Sequence, residues 1–529
     1  MAEINGGKFQ ENDVLKESIA RGHELRVRSQ DLEIKLQKLA LLLKRNTLQF
    51  IFLKPIAALI GISYITVVVS ALNSSEYQQY LVAWALAELW IVLSSFGLPA
   101  TYTQLFPCKS QEFTSSRDGI YLMYPPYYVV LIRVIATLSV APLMVGATLV
   151  YSDEFAFSFM GPIAFLAITE ASCRDLETIN EVRFKQWLTQ TFMLARTALK
   201  LGIFVLFTSD EGLNISLESA LTLEAIATGT VLVCSLMTSF FGVKSQSNRK
   251  FLGFYRDLLS VRRESLFPAY FSDLMWFLTG FEAVKLLIGL LGSAEDAESL
   301  GFTLTLAAYI LRFSPPVLFF GIVKNYFLHI SQLDTVGLSM IVQRLIVITC
   351  IFLYVAAAGF LGMNDLATRY LDVFPLTSDF HEILFLLKDY FYGAISVVAL
   401  IAIRHIFFAI LIAENNLILS LRSIKGSSSV FVMFLLFQLL LNLMPLSLAL
   451  LLAIFFAECF WLLSVVFRLS GGSLRAVYGG ELFCLFTFLI LCWLLQFFNA
   501  FGISLIVTVL FGVSISIFTP RLFRTDHAR

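Results

Sequence analysis

The strongest evidence for the fold is the sequence from Asn46 to Pro107. It reads NTLQFIFLKPIAALIGISYITVVVSA, then LNSSEYQQY, then LVAWALAELWIVLSSFGLPATYTQLFP. Its two apolar segments each have the length of about 20 residues that an α-helix needs to cross the ~30 Å hydrocarbon core of a bilayer. The polar segment between them is too short for anything but a turn. The stretch therefore predicts a transmembrane helical hairpin.

A second stretch, residues 265–327, repeats this order of long apolar helix, short acidic turn and long apolar helix with proline. In the two turns, LNSSE at 72–76 aligns with LGSAE at 291–295. The next helices also match, since VLIRVIAT ending at Thr137 resembles VQRLIVIT ending at Thr349. Two similarities in the same order predict that one half of the chain duplicates the other, as in many transporters. The alternative is chance similarity between apolar helices.

The composition is that of a polytopic membrane protein. Of 529 residues, 58% are hydrophobic and only 14% are charged, which leaves too much apolar surface for a soluble globule. The formal net charge is zero, and this argues against a nucleic-acid partner. The seven cysteines stand singly in or beside apolar runs, so we interpret them as small buried residues and not as disulfides or metal ligands.

No motif of an enzyme is present. The sequence has no Walker A loop, HExxH, GxSxG or Rossmann fingerprint, and its five histidines are scattered. We therefore expect no catalytic residue, no cofactor and no metal. Membrane glycan polymerases and ligases are the enzymatic alternative, but many of them carry catalytic residues in a large outer loop. The longest outer loop predicted here, residues 363–388, is short.

Hydropathy predicts fourteen membrane spans, or twelve if a C-terminal pair does not cross. The predicted spans are 47–71, 77–99, 124–151, 155–172, 187–209, 219–243, 266–291, 301–325, 338–362, 389–413, 429–445, 447–468, 478–498 and 501–519.

The loop charges provide a separate test of this map. Basic loops alternate with acidic ones along the chain, and Lys and Arg mark the cytoplasmic side. Both termini are therefore predicted to be cytoplasmic, which requires an even number of spans. The predicted parts are a cytoplasmic amphipathic helical segment, an N-terminal six-helix lobe, a cytoplasmic interlobe loop, a C-terminal six-helix lobe, and two further helices with a cytoplasmic tail. They cover 1–46, 47–243, 244–265, 266–468 and 469–529, respectively.

Ionisable residues inside the predicted spans are the candidate functional residues, because each costs ~2.5 kcal/mol or more at the bilayer centre unless it has a partner or faces water. The cations are Lys54, Arg133, Arg196, Lys200, Lys285, Arg312, Arg344 and Arg404, and the acids are Glu88, Glu170, Glu224, Asp273, Glu282 and Glu458. The functional interpretation is a cationic cavity. The alternative is a mixture of snorkelling side chains near helix ends and structural ion pairs, such as Glu282 with Lys285 three residues later.

The stretch from Ser70 to Pro107 resembles the first hairpin of the polysaccharide transporter family, within the multidrug/oligosaccharidyl-lipid/polysaccharide exporter superfamily. In that family a Leu-Gly-Pro-Glu-like turn precedes an apolar helix that ends in a Gly-Leu step, here Gly97-Leu98. The sequence departs from the pattern in the turn, where Asn73-Ser74-Ser75 replaces the Gly-Pro step, and at Gln78-Gln79, where a Gly-aliphatic pair is common. The departures leave the subfamily open.

The resemblance implies an all-α polytopic membrane protein with about fourteen transmembrane helices: two six-helix lobes around a central cavity plus two C-terminal helices. It implies a flippase of the bacterial inner membrane that moves a polyprenyl-pyrophosphate-linked oligosaccharide outward by alternating access for surface or exopolysaccharide assembly. Expected partners are that lipid, membrane lipids, and glycan polymerase and glycosyltransferases of the pathway.

A diphosphate needs fixed positive charge, and arginine supplies bidentate contacts that lysine does not. The predicted substrate-binding residues are Lys54, Arg133, Lys285, Arg312, Arg344 and Arg404. The predicted ion-coupling residues are Glu88, Asp273 and Glu282.

Two other function classes stay open. One is a cation-coupled drug or small-molecule antiporter of the same superfamily, which would favour acidic and aromatic cavity walls. The other is a non-transporting scaffold that recruits a glycan assembly complex through residues 1–46.

Overall fold

The computed structural model of this chain describes part of its length. The described residues are 52–99, 102, 125–151, 153–182, 186–211, 215–240, 251–260, 263–318, 342–357, 359, 387, 390–413, 425–441, 443–469, 485–490 and 492–493. The predicted segment 1–46, the span 501–519, most of 478–498 and nearly all of the outer loop 363–388 lie outside them.

The regular structure in the described residues is α-helical. The helices are α1 Phe52–Ala71, α2 Ser74–Leu93, α3 Pro126–Tyr151, α4 Asp153–Val182, α5 Gln186–Glu211, α6 Leu217–Phe240, α7 Phe251–Ser260, α8 Arg263–Leu278, α9 Phe281–Leu291, α10 Ala294–Phe313, α11 Pro315–Leu318, α12 Val342–Ala357, α13 Phe391–Ala413, α14 Lys425–Leu441 and α15 Leu446–Leu469.

The predicted all-α membrane architecture is confirmed. Within the described residues, five helices are long and apolar enough to cross a bilayer by length and composition, namely α1, α3, α5, α6 and α15. Shorter apolar helices, α12 and part of α13, coincide with two further predicted spans. The count of fourteen spans stays a prediction.

Side-chain caps set where the second helix of each hairpin begins. The Asn73 side chain accepts a hydrogen bond from the Glu76 N–H at 2.9 Å, and the Glu76 carboxylate accepts one from the Asn73 N–H at 3.2 Å. This capping box satisfies two backbone donors that a helix start leaves free. Ser293 caps α10 in the same way, accepting from the Asp296 N–H at 3.1 Å.

The second helices of the two hairpins have the same length, but their structural alignment differs by one residue from the alignment of the turn sequences. Both α2 and α10 have 20 residues, and they end at the C-caps Ser94 and Ser314. The structure therefore matches Asn73 with Ser293, one residue away from the alignment of 72–76 with 291–295. Alignment of the turn sequences alone misplaces the register by one residue. The helix begins after the capping residue, Asn73 or Ser293, and not after the glycine of the second turn.

Helix α2 is the centre of the packing. It contacts α3, α4 and α6 on one side and α8, α9 and α10 on the other. It thereby joins the helices α3 to α6 to a second group in which α9, α10, α13 and α15 pack together. Tyr77, Val82 and Ala85 are fully buried within it. Because α2 is surrounded by other helices, it does not need a polar face, and its apolar residues are distributed around the whole helix.

Two predicted spans are broken helices. The span 266–291 consists of α8 and α9, which meet at Thr279-Gly280, where the Gly280 N–H donates to the Phe277 carbonyl at 3.0 Å. The span 301–325 stops being continuous at Ser314, because the residue before a proline is disfavoured in helical geometry. Hydropathy does not detect such breaks, since the residues on both sides are equally apolar.

One predicted span is only part of a longer helix. The span 155–172 is part of the longer helix α4, which continues to Val182. Arg174, which the charge pattern placed in a cytoplasmic loop, is therefore helical. Its charge is balanced by Glu88 of α2, and this allows the helix to continue past the apolar stretch.

Gly301 permits the close contact between α10 and α2. A Cβ atom at this position would lie 2.2 Å from Leu81 Cδ1, inside a region where Leu81 is fully buried. Overpacking a core typically costs about 1–3 kcal/mol. We expect Gly301→Val to lower the thermal unfolding temperature of the purified protein in detergent. Gly202→Val on α5 is the matched control, since nothing lies within 4 Å of its Cβ position. Equal melting of both variants would contradict the tight α2–α10 contact.

Candidate functional site

The described part of the chain contains a network of buried and half-buried charges between α2, α4, α5 and α6. We call it the N-lobe charge network and define it by four acids and three bases. Its members are Glu88, Glu170, Arg174, Glu177, Arg196, Lys200 and Glu224.

Helix α4 supplies the centre of the network. Glu170, Arg174 and Glu177 follow each other at spacings of four and three residues, which places them on one helical face. Arg174 Nη1 donates to Glu88 Oε2 at 2.7 Å, and Nη2 donates to the other oxygen of the same carboxylate. Such a two-pronged contact is the strong geometry for a guanidinium and a carboxylate. Helix α2 is therefore tied to α4 by charge as well as by apolar packing.

Arg196 of α5 joins the same face of α4 from the other side. Its Nη1 lies 3.1 Å from Glu170 Oε1, and its Nη2 lies 3.4 Å from Glu177 Oε1. One arginine thus bridges two carboxylates that are two helical turns apart. This accounts for a cation inside an apolar helix that otherwise faces lipid.

The second end of the network is centred on Glu224 of α6. Tyr80 donates its hydroxyl to Glu224 Oε1 at 2.5 Å, and Tyr64 of α1 donates to the same oxygen. Lys200 Nζ lies 3.6 Å from Glu224 Oε2 and 4.7 Å from the centre of the Trp84 ring. Helices α1, α2, α5 and α6 therefore converge on one carboxylate, which two hydroxyls and an ammonium group surround.

Three of the six cations predicted to bind substrate are buried and paired. Arg133 of α3 is 2% exposed, donates to the Ser94 carbonyl at 2.7 Å and lies 3.4 Å from Asp175 Oδ2. Lys285 of α9 lies 2.9 Å from Glu282 Oε1, as the spacing of the two residues suggested. The Arg133 contacts join α3 to α4 and to the end of α2, whereas the Lys285 pair lies within α9.

The third buried cation, Arg404 of α13, lies beside the break between α8 and α9. It pairs with Glu458 of α15, and its Nη1 donates to the Thr279 hydroxyl at 3.2 Å. Its guanidinium carbon stands 3.5 Å from the centre of the Trp276 ring. Arg404 and Glu458 are both almost completely buried. The ion pair therefore links the end of α8 and its junction with α9 to α13 and α15.

The other three predicted cations are more accessible. Lys54, at the start of α1, donates to the carbonyls of Val317 at 2.9 Å and Leu318 at 3.2 Å. Arg312, at the end of α10, is exposed and lies over the Tyr309 ring at 5.0 Å. Arg344 of α12 is also exposed. The structure therefore brings Lys54 to the α10–α11 segment, five residues beyond Arg312.

The three predicted ion-coupling carboxylates differ in their partners. Glu88 is held by Arg174 and Glu282 by Lys285. Asp273 of α8 instead accepts a hydrogen bond from the Ser95 hydroxyl at 3.4 Å, across the contact between α2 and α8. Within the described residues no basic side chain lies within 4.0 Å of it.

Sequence reasoning found Arg196, Lys200, Glu170 and Glu224 as buried ionisable residues but not as one network. It missed Glu177 and assigned Arg174 to a loop. The available signal was the spacing of 170, 174 and 177, which continues one helical face past the apolar stretch. In the part of the chain that the structure describes, no group of three or more His, Cys, Asp and Glu side chains is arranged to hold a metal ion.

The sequence matches no known protein-family profile and no curated protein. Solved structures do resemble it in fold. A structure described as lipid II flippase MurJ in an inward closed conformation superimposes with a TM-score of 0.56 at 15% identity, covering 90% of this chain and 99% of the flippase. The MATE multidrug transporter DinF-BH in complex with R6G gives a TM-score of 0.51 at 16% identity, covering 81% of this chain and 96% of the transporter.

Both structures are of membrane transport proteins and neither is of an enzyme. They belong to the superfamily that residues 70–107 resemble. The chain therefore shares the fold of these membrane transport proteins, as the resemblance of residues 70–107 predicted.

Proposed function

We propose that this protein is a flippase that moves a polyprenyl-pyrophosphate-linked oligosaccharide across the bacterial inner membrane. Such a substrate combines a lipid tail, a diphosphate and a polar glycan, so a carrier must supply positive charge that is reachable at one end of the membrane path. The observation that carries the proposal is the placement of Lys54 and Arg312 toward the same end of α1 and the α10–α11 segment. A solved structure with the same fold is described as a lipid II flippase, and this supports the proposal.

We divide the six predicted substrate-binding cations into two roles by their accessibility and their partners. We assign the accessible cations, Lys54, Arg312 and Arg344, to the diphosphate. Arg133 and Arg404 are assigned to holding the helices on which the first set stands, because their charges are already matched by buried carboxylates on other helices. Lys285 is assigned to the pair that it forms with the half-buried Glu282 within α9. In this arrangement the headgroup site consists of the three accessible cations. They supply the positive charge that contacts the diphosphate, because the buried cations are already paired with carboxylates.

Asp273 is the carboxylate that we assign to ion coupling. Glu88 and Glu282 each have a basic partner within hydrogen-bond distance, whereas Asp273 is bonded to a hydroxyl across the α2–α8 contact. A carboxylate that gains or loses a cation at this contact would alter how the two helices meet. This is the property that alternating access requires.

We expect Asp273→Asn to transport at a rate that no longer depends on an imposed proton or sodium gradient, while the protein stays in the membrane. The matched variant Glu88→Gln is expected to lower protein abundance instead, because it leaves Arg174 without its bidentate partner. The measurement is initial transport rate against gradient in vesicles, with abundance by immunoblot. Unchanged gradient dependence in Asp273→Asn would remove this residue from coupling.

The proposed activity is tested directly with purified protein in vesicles. The vesicles carry a fluorescent polyprenyl-diphosphate oligosaccharide, and an added membrane-impermeant glycosidase reports the fraction of headgroups on the outer side. We expect protein-dependent exchange of the headgroup between leaflets, and no exchange with a polyprenyl lipid that lacks diphosphate. Parallel vesicles with a fluorescent organic cation test the antiporter class. Ion-driven uptake of the cation without headgroup exchange would overturn the flippase proposal in favour of that class.

A further inference from the structure

The interlobe helix α7 has two different faces. Phe254 and Leu258 are buried against Leu98 and Ile132 of the N-terminal helices. The opposite side bears Leu252, which is 75% exposed, and the exposed residues Tyr255 and Arg256. Residues 252, 255 and 256 are three and four positions apart and therefore share one side of the helix. Two large hydrophobic side chains next to an arginine are thus left uncovered.

The position of α7 places this uncovered side at the boundary of the bilayer. Tyr128, near the start of α3, stacks on Phe254 with ring centres 5.8 Å apart and meets Phe251 edge-on at 5.3 Å. The neighbouring Tyr127 is exposed and begins the outward-facing stripe of α3, a helix long and apolar enough to span a membrane. The stripe consists of Tyr127, Leu131, Ile135 and Leu138.

We infer that this exposed apolar stripe faces lipid and that Tyr127, at the start of α3, lies near the membrane boundary, where tyrosine is enriched. Helix α7 therefore lies where the lipid-facing surface of α3 begins.

The charge of this region matches an anionic surface. Residues 244–264 contain six basic side chains and two acidic ones, a net charge of +4 in a chain whose total is zero. Tyrosine is favoured at the level of lipid headgroups, and basic residues near a membrane attract anionic headgroups. A helix with an apolar side flanked by positive charge is typical of interfacial attachment.

We propose that α7 is an interfacial anchor whose Leu252, Tyr255 and Arg256 face is covered by anionic phospholipid. Leu252 and Tyr255 enter the headgroup and acyl boundary, while Arg256 contacts lipid phosphate. The other side of α7 is packed on the N-terminal helices, and α8 begins three residues after α7 ends. The anchor therefore fixes the chain between the two groups of helices to the membrane surface. This inference does not depend on the identity of the transported substrate.

The test uses a nitroxide label on the full-length protein. Leu252→Cys is made in a chain whose Cys108, Cys234, Cys459 and Cys484 are replaced by serine, and the three buried thiols are kept. The labelled protein is placed in vesicles of pure phosphatidylcholine or of phosphatidylcholine with one quarter phosphatidylglycerol. Collision rates with oxygen, which partitions into lipid, and with a water-soluble nickel chelate then report the depth of the label.

We expect the ratio of oxygen to nickel collisions at position 252 to resemble that at Val233, an exposed position of the spanning helix α6, and to exceed severalfold that at the water-exposed Ser75. Phosphatidylglycerol should raise the ratio at position 252, and Arg256→Gln should remove much of that rise, since one basic residue near the surface contributes about a fivefold preference.

A label at position 252 that behaves like the one at Ser75 in both vesicles would overturn the proposal and leave α7 free for water or a protein partner. Equal depth in both vesicle types, unaffected by Arg256→Gln, would overturn the part that assigns anionic lipid. If the labelled chain does not fold, a second measurement uses the full-length protein with its native cysteines. The amount of anionic lipid retained during purification is compared between this protein and its Arg256→Gln variant.

Discussion

Replacing Glu458 by glutamine is expected to remove most of the folded protein from the membrane. The change keeps the size of the side chain but leaves the Arg404 guanidinium as an unmatched charge in a site that is almost fully buried. Removing one partner of a buried ion pair typically costs about 3–5 kcal/mol, which is a large part of the stability of a folded protein. The loss should be seen as low abundance in membranes and a lower unfolding temperature in detergent.

A double variant separates charge from packing. Replacing the pair by apolar residues of similar volume, Arg404→Met with Glu458→Leu, removes both charges at once. Such replacements are often neutral or stabilising, so the double variant should regain most of the abundance that Glu458→Gln loses. Glu295→Gln, at the exposed start of α10, is the matched single control and should behave as wild type. Normal abundance and melting of Glu458→Gln would show that the pair contributes little to stability.

The same pair shows what sequence can and cannot predict here. Both residues were recognised as costly charges in apolar segments, because that judgement needs only the local sequence. Their pairing was not predicted, since Arg404 and Glu458 lie on different helices and no spacing along the chain connects them. The same limitation applies to Glu88 with Arg174 and to the carboxylate of Glu224. Pairs on one helix were predictable from their spacing, as with Glu282 and Lys285 three residues apart and Glu170 and Arg174 four residues apart.

The fold was predictable for a different reason. Each hairpin is encoded locally by two apolar segments and a short polar turn, and the cap at Asn73 confirms the turn. Helix ends and breaks were less predictable where hydropathy does not change. Helix α4 continues past its apolar stretch because its charges are matched, and the break at Thr279-Gly280 occurs between equally apolar segments.

Arg312→Ala is expected to lower transport of a diphosphate-linked lipid at least tenfold while the protein remains folded and in the membrane. Arg312 is exposed at the end of α10 and has its guanidinium over the Tyr309 ring, so its removal leaves no buried charge unmatched. Hydrogen bonds to a charged group contribute about 1.5–3 kcal/mol, so losing them should lower the transport rate by tenfold to a hundredfold or more. The measurement is headgroup exchange in vesicles, normalised to the amount of inserted protein.

Conservative variants test whether the geometry of Arg312 matters as well as its charge. Arg312→Lys keeps the charge but loses the fork that contacts two phosphate oxygens, so we expect it to recover only part of the rate. Tyr309→Phe keeps an aromatic face under the guanidinium and should transport nearly normally. Tyr309→Leu removes that face and should lose about two- to fivefold, because a cation–π contact at an exposed site contributes about 0.5–1 kcal/mol. Full transport by Arg312→Ala at normal abundance would exclude Arg312 from the headgroup site, and full recovery by Arg312→Lys would show that charge alone is required.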